Sequence, residues 1–181
     1  MCIRDSFVCE ADVIVPSPPT ATDNCAGAVT VNQVSDVTTA GACANSFTRT
    51  ITWEAEDECG NTSAAFSAIL TINDNVAPTW STTASSLDAT FVCEADVIVP
   101  SPPTATDNCA GAVTVNQISD VTTASVCDNS FTRTITWEAV DECGNTSAAF
   151  SAIITVNDNV APTWSTTVSY THLTLPTTPY V

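Results

Sequence analysis

The chain contains nearly the same sequence twice, and this internal repeat limits its fold more than any other feature does. Residues 7–83 match residues 91–167 at a constant offset of 84 residues, with only seven differences. Three of the differences exchange one aliphatic residue for another, as a packed core tolerates. We therefore predict a tandem array, with repeat 1 at residues 7–75, repeat 2 at 76–159 and the start of a third repeat at 160–167.

The two ends of the chain differ from the repeats. Residues 1–5 and 168–172 can be encoded by one stretch of DNA read on opposite strands, and both ends resemble translated sequencing adapters. Segments of non-native origin are excluded from fold reasoning. We interpret residues 1–6 and 168–181 as artefactual, and we expect repeat 1 to lack the counterpart of residues 77–90, which should include an edge strand.

Within each repeat, apolar and polar residues alternate, as in half-buried strands. One predicted strand covers residues 47–55, and the next begins near residue 66. Their inner faces carry Phe47, Ile51, Trp53, Phe66, Ala68, Leu70 and Ile72. Several short strands in a unit of this size are typical of a β-sandwich. We predict an all-β protein built from tandem immunoglobulin-like β-sandwich domains.

Two tryptophans have alternative interpretations. Trp53 alternates with Ile51 and Ala55, which favours a core position over an exposed platform for stacking on sugars. Trp80 follows Pro78 near the boundary between the repeats. We expect Trp80 to pack between the two domains.

Each repeat has four cysteines, which we number first to fourth in chain order. They are Cys9, Cys25, Cys43 and Cys59 in repeat 1, and Cys93, Cys109, Cys127 and Cys143 in repeat 2. Four cysteines in a small unit indicate disulfides and an oxidising, extracellular compartment. A site of four metal-bound thiolates is the alternative, but the spacings lack the C-x-x-C pattern common in such sites.

Strand geometry disfavours one way of pairing these cysteines. Cys43 precedes and Cys59 follows the strand at 47–55, which spans roughly 30 Å, whereas a disulfide needs Cα atoms within about 7 Å. Cys25 and Cys59 each follow an acidic turn, which suggests that they lie at the same end of the sandwich. The predicted bonds are Cys9–Cys43, Cys25–Cys59, Cys93–Cys127 and Cys109–Cys143. The remaining alternative joins Cys9 to Cys59.

The composition disfavours several kinds of partner and activity. The net charge is −17, with only three Lys and Arg residues, so phosphate backbones and anionic lipids are repelled. No apolar run reaches the ~20 residues of a transmembrane helix. Between the interpreted artefacts there is no His or Lys to activate a Ser or Thr nucleophile. We expect no enzyme, no nucleic-acid binding and no membrane insertion.

Acidic and amide residues cluster near the predicted strand ends, where their oxygen atoms could bind calcium. The segment 73–78 resembles the calcium-binding linker of cadherins, although Thr71 replaces its leading Asp and Val76 is inserted before Ala-Pro. Turns formed by Asp and Asn side chains are the alternative. The predicted calcium ligands are Asp23, Asp57, Glu58, Asp74, Asp107, Asp141, Glu142 and Asp158, and we expect no other cofactor.

Four short motifs occur in both repeats. In repeat 1 they are Ala-Thr-Asp-Asn-Cys at 21–25, Thr-Ile-Thr-Trp at 50–53, Asp-Glu-Cys-Gly-Asn-Thr at 57–62 and Asp-Asn-Val-Ala-Pro at 74–78. With these motifs the chain resembles HYR-like (hyalin-repeat) and related immunoglobulin-like repeats of large bacterial surface proteins.

The resemblance implies a structural or adhesive module, a stalk or spacer, in a large secreted or cell-surface protein. Its partners would be neighbouring repeats of the same chain, with a cell-surface or polysaccharide ligand as a further candidate. A calcium-dependent adhesion module similar to cadherins is one alternative. An accessory domain of a secreted hydrolase is another.

Overall fold

The computed structural model describes residues 2–25 and 27–165, which form ten β-strands and two single-turn 3₁₀ helices. The described residues contain no α-helix. Each repeat is organised around its own four-stranded sheet, which confirms the predicted all-β fold of tandem immunoglobulin-like domains. The interpreted artefact at 168–181 and the end of the predicted third repeat, 166–167, lie outside the described residues.

The sheet of repeat 1 has the strand order β1-β4-β3-β2. Its strands are β1 (Cys2–Phe7), β2 (Thr30–Ala40), β3 (Ser46–Glu56) and β4 (Phe66–Asn73). β1 runs parallel to β4, and the other neighbours are antiparallel. Short turns join β2 to β3 and β3 to β4, so these three strands form a continuous meander.

Repeat 2 repeats this sheet and adds a small second one. Its strands are β5 (Thr79–Trp80), β6 (Ala89–Phe91), β7 (Ala105–Thr106), β8 (Thr114–Ala124), β9 (Phe131–Val140) and β10 (Phe150–Val156). The main sheet has the order β6-β10-β9-β8, while β5 and β7 pair as a separate two-stranded sheet. Because β5 lies in the stretch that repeat 1 lacks, repeat 1 has no counterpart of this pair among its described residues.

β1 occupies in repeat 1 the place that β6 occupies in repeat 2. Phe7 pairs with Ile72, and Phe91 pairs with Val156, 84 residues later in the same register. Part of the expected edge of repeat 1 is therefore formed by residues 2–6. Our interpretation of that segment as artefactual concerns its origin and stays a prediction.

The core of each repeat lies on one face of its sheet, as the alternation predicts. In repeat 1, Ile51, Trp53, Ala68, Leu70 and Ile72 are each no more than 2% exposed. The same five positions are equally buried in repeat 2. Trp53 is therefore a core residue, since the period of two places it on the same inner face as Ile51.

The cysteines lie in the segments that connect the strands. The first one precedes a 3₁₀ helix, Glu10–Asp12 in repeat 1, and the second lies in the long connection that leads to β2. The third lies in the β2–β3 turn and the fourth in the β3–β4 turn. Because β3 separates the third from the fourth, these two lie at opposite ends of the sheet.

Candidate functional site

Two disulfides join repeat 1 to repeat 2. Cys9 is bonded to Cys109, with Cα atoms 5.2 Å apart, and Cys43 is bonded to Cys143, with Cα atoms 5.0 Å apart. Each bond spans 100 residues of sequence. In both cases a cysteine of one repeat bonds to the cysteine of the next number in the following repeat: the first to the second, and the third to the fourth.

This pairing corrects the bonds predicted within each repeat. The structure contains none of Cys9–Cys43, Cys25–Cys59, Cys93–Cys127 and Cys109–Cys143. The assignment to ends was nevertheless sound, because Cys9 and Cys43 both lie at the end of repeat 1 that meets repeat 2. The partners lie across the junction instead of beside each other. Cys25, Cys59, Cys93 and Cys127 are exposed and unbonded in the structure.

Side-chain amides add hydrogen bonds across the same junction. The Nδ2 of Asn45 donates to the carbonyl of Ala110 at 2.6 Å, and the Nδ2 of Asn145 donates to the carbonyl of Asp74 at 3.2 Å. Gly111 follows Ala110, and a Cβ on it would lie 3.3 Å from the Asn45 amide nitrogen. The absence of a side chain at Gly111 therefore permits this close approach of the two repeats.

An acidic pair from the two repeats also meets at the junction. Carboxylate oxygens of Asp74 and Asp107 lie within 4.8 Å of each other and of the Cys109 sulfur. The sulfur is consumed in the disulfide, so the two carboxylates are the remaining ligand groups. Asp74 is only 4% exposed.

Each of these carboxylates has one oxygen with a hydrogen bond and one without. Asp74 Oδ1 accepts from the Val76 amide, and Asp107 Oδ2 accepts from the Cys109 amide. Asp74 Oδ2 and Asp107 Oδ1 are buried and have no partner. Burying unpaired charged oxygens close together is costly, and a cation between them would offset that cost.

The other predicted calcium ligands take part in local hydrogen bonds and do not converge. Asp57 Oδ1 accepts from the amides of Cys59 and Asn61, and Asp57 Oδ2 accepts from the Asn61 side chain. Glu58 accepts from the Ala28 amide. Asp141 and Glu142 repeat these contacts in repeat 2. Asp23 and Asp158 each accept from the backbone amide two residues later.

These turns change the acidity of their aspartates. The side-chain hydrogen bond from Asn61, together with backbone amides of the turn, lowers the pKa of Asp57 below its ordinary value of 3.8. For Asp141, burial raises the pKa, but the hydrogen bonds from Asn145 and the turn amides outweigh it and the pKa is lowered. The ionised forms of these carboxylates are therefore the ones that shape the turns.

A family model described as an HYR-like domain with four cysteines matches the chain at residues 5–72 and 81–156. The two matches together cover well over half of its length. The chain belongs to this family. Its two repeats are HYR-like domains, and each matched segment contains the four cysteines of one repeat.

Comparison with known structures and proteins adds little. The chain is similar to the fibronectin(III)-like modules of CbhA from Clostridium thermocellum, at 15% identity over 82% of this chain and 88% of that chain, with a TM-score of 0.28. No curated protein matches it significantly. The family indicates an extracellular repeat module. Within residues 2–25 and 27–165, no helix is long and apolar enough to cross a membrane.

The two HYR-like repeats differ at a groove beside the core tryptophan. In repeat 2 this groove is filled by Trp80, whose ring centroid lies 5.3 Å from that of Phe150 and whose Nε1 donates to the Ala148 carbonyl at 2.7 Å. Trp80 therefore packs within repeat 2, and the expectation that it packs between domains is wrong. The pairing of β5 with β7, Trp80 opposite Ala105, holds the indole in place.

Repeat 1 has the same groove, but no counterpart of Trp80 fills it. A cavity of about 170 Å³ lies there, lined among others by Pro19, Trp53 and Phe66. The counterpart of Trp80 that follows repeat 2 is Trp164, which is 98% exposed. The sequence did not predict this groove or its filling by Trp80, because the groove forms from segments distant in the chain. The recurrence of Trp at positions 80 and 164 is the one signal of it that the sequence contains.

Proposed function

We propose that this pair of HYR-like repeats is a stiff spacer segment of an extracellular stalk, in which disulfides between consecutive repeats fix their relative position and bear tension. The observation that carries the proposal is that both disulfides cross the same junction. A peptide linker alone permits bending between domains. Two further covalent connections restrict that motion. The role is mechanical and requires no catalytic group.

The disulfides also shorten the path that force can extend. Two covalent routes of equal length join Cys9 to Cys143, one along residues 9–43 and one along residues 109–143, and each crosses a single disulfide. Fully stretched, each route measures about 120 Å. Without disulfides, all of residues 9–143 would extend, to about 470 Å. An array linked in this way would resist elongation even after its sheets unfold.

Single-molecule stretching of the full chain between its termini tests the proposal. Oxidised chains should show an unfolding extension shorter by about 350 Å than chains treated with reductant, because the two disulfides hold Cys9 and Cys143 within the length of one 35-residue segment and bypass residues 44–108. The matched control is the variant Cys25→Ser/Cys59→Ser, which should keep the short extension. Full extension of the oxidised chain would refute the spacer proposal.

A second candidate function, a junction stiffened by calcium, is favoured by the two unpartnered oxygens on Asp74 and Asp107. Calcium takes six to eight oxygen ligands and tolerates irregular geometry. Two carboxylates supply only part of that shell, and water would supply the rest. We therefore expect weak binding, with a Kd on the order of 10⁻⁴ to 10⁻³ M, as in other extracellular modules.

Calorimetry with calcium, and melting with calcium against chelator, tests this candidate. Asp107→Asn should abolish binding and the rise in Tm, since it removes a charge at the junction while keeping an oxygen for the Cys109 amide. Asp23→Asn is the matched control, because Asp23 has the same position in repeat 1 and is exposed. Equal loss in both variants, or no rise in Tm with calcium, would exclude a junction site.

A further inference from the structure

The four exposed cysteines of the repeats are the counterparts of the four that form the junction. Cys25 and Cys59 have the same positions in repeat 1 as Cys109 and Cys143 in repeat 2; we call them the entry cysteines. Cys93 and Cys127 have the same positions as Cys9 and Cys43; we call them the exit cysteines. Every cysteine that bonds at the junction therefore has an exposed equivalent at an outer end of the molecule.

The apolar surfaces at the two ends match in the same way. The groove beside Trp53 and Phe66 in repeat 1 is the groove that Trp80 fills in repeat 2. Trp164 follows repeat 2 as Trp80 follows repeat 1, and it projects into solvent. One end of the chain thus offers a tryptophan, and the other end offers its groove.

We propose that a second copy of this chain docks head to tail, with its entry cysteines bonded to the exit cysteines of the first copy. The bonds would be Cys93 to Cys25 and Cys127 to Cys59, and Trp164 of the first copy would enter the groove beside Phe66 of the second. This deepens the proposed spacer function, since it makes the observed junction the unit by which an array grows.

Bond formation requires an oxidant, and a low-molecular-weight disulfide such as oxidised glutathione suffices. For each new bond, two protein thiols lose their hydrogens and one oxidised glutathione becomes two reduced glutathiones. The reaction proceeds through a mixed disulfide that the second thiolate attacks. Docking brings both thiols of each pair together before that attack.

The experiment uses two full-length variants, both with Cys2→Ser to remove the remaining exposed thiol. The exit variant carries Cys25→Ser/Cys59→Ser, and the entry variant carries Cys93→Ser/Cys127→Ser. Both are incubated in glutathione buffer at about 0.15 M salt or above, because two chains of charge −17 repel less when screened.

The expected product is a one-to-one heterodimer of the two variants, with each variant alone remaining monomeric. The Cys2→Ser chain that retains both entry and both exit cysteines should form a ladder of oligomers on a non-reducing gel. Disulfide-linked dimers of a single variant, or a mixture that stays monomeric, would overturn the proposal. The stretching experiment reads only bonds within one chain, so its failure is distinguishable from failure here.

Peptide mass spectrometry can identify the bond despite the repeat. Sequences around the first and second cysteines are identical in the two repeats, but those around the third differ, with Ala44 beside Cys43 and Asp128 beside Cys127. Glu56 and Val140 likewise distinguish the segments of Cys59 and Cys143. The heterodimer should yield a peptide linking Cys127 to Cys59. A Cys127 peptide linked to Cys25 would contradict the proposed register.

Replacing Trp164 by Ala in the exit variant tests the docking step separately from the thiols. Heterodimer formation should slow by on the order of tenfold, because a buried tryptophan is commonly a dominant contact in an interface. Val121→Ala, which removes an exposed apolar side chain from β8, is the control and should leave the rate unchanged. Equal rates for all three chains would overturn the assigned groove.

Discussion

The ends of the repeats that meet at the junction differ in burial from the ends that face away from it, although most of their residues are the same. Cys109 is 6% exposed, whereas Cys25, its counterpart, is exposed. Asp74 is 4% exposed, whereas Asp158 lies in solvent. The same amino acid at the same position of the same fold is buried only where a neighbouring repeat covers it.

The core shows the same dependence on a neighbouring segment. Phe150 is 5% exposed because Trp80 packs on it, while Phe66 is only half-buried beside an unfilled groove. Trp80 comes from the stretch that follows repeat 1. Repeat 2 therefore uses the segment that joins the two repeats to complete its core, and no counterpart of Trp80 covers Phe66 in the described part of repeat 1.

The largest expected effect comes from removing one junction disulfide. Cys9→Ser/Cys109→Ser should lower the free energy of unfolding by about 2–4 kcal/mol, because the unfolded chain gains conformational freedom. Cys25→Ser/Cys93→Ser replaces the counterparts of these two cysteines at the outer ends. It should change the free energy of unfolding by less than about 0.5 kcal/mol. Denaturant titration of the oxidised monomers, in buffer without glutathione or reductant, measures both, and similar losses would contradict the pairing.

Truncating the tryptophan in the groove should have the next largest effect. Trp80→Ala should destabilise repeat 2 by about 2–3 kcal/mol, below the range for fully buried aromatic residues, since Trp80 keeps some exposure. Trp164→Ala should leave thermal stability unchanged in the monomer. If both variants melt at the temperature of the unmodified chain, Trp80 does not complete the core.

A smaller effect is expected for the amide at the junction. Asn45→Ala removes the hydrogen bond to the Ala110 carbonyl and should cost about 1 kcal/mol. Asn129, its counterpart in repeat 2, is exposed at the outer end, so Asn129→Ala should be neutral within about 0.5 kcal/mol. Urea midpoints of the two variants provide the comparison. If Asn45→Ala is neutral, the hydrogen bond to Ala110 does not stabilise the junction.

The smallest effect concerns the ion pairs inside each repeat, which should not depend on the junction. The hydrogen bond from Arg49 lowers the pKa of Asp36 below 3.8, and Arg133 does the same for Asp120. A lowered pKa in the folded state stabilises the protein above the unfolded-state pKa, and this contribution disappears as the pH falls through the folded-state pKa.

Asp36→Asn and Asp120→Asn should therefore destabilise the chain slightly and equally at pH 7, and by less near pH 2. The partners in both pairs are about one-third exposed, so solvent screening keeps the effect small. Asp12→Asn serves as control, because Asp12 is exposed and forms no ion pair with Arg49 or Arg133. Melting curves across this pH range measure both effects. If only one of the two substitutions destabilises the chain, the two ion pairs are not equivalent.

The strands and the core were predictable because they depend on local alternation. Period two in residues 47–55 identified Ile51 and Trp53 as core, and repetition of the pattern predicted two similar domains. The sequence also assigned the cysteines to the correct ends of the sandwich. It did not reveal their partners, because a cysteine at an end can bond within its repeat or across to the next one.

The candidate site was predictable only in part, for the same reason. Asp74 and Asp107 were among eight acidic residues with equal claims to calcium, and most of these shape turns through their own hydrogen bonds. The signal that could have separated them is that Asp74 ends one repeat while Asp107 lies near the second cysteine of the next. Recognising it required knowing that these segments meet.

The sequence by itself determined the repeat, the β-strands and their inner faces, since these follow from recurring segments and from alternation along each strand, and its motifs carried the resemblance to the family. Tertiary structure decided which cysteines bond, which acids are buried and which groove Trp80 fills. Those outcomes depend on surfaces formed by segments that are distant in the chain, 100 residues apart for the disulfides and 68 for the hydrogen bond of Trp80. The cysteines and acidic residues recur at the same positions of both repeats, so the stacking of the repeats decides which of them are covered and which are exposed.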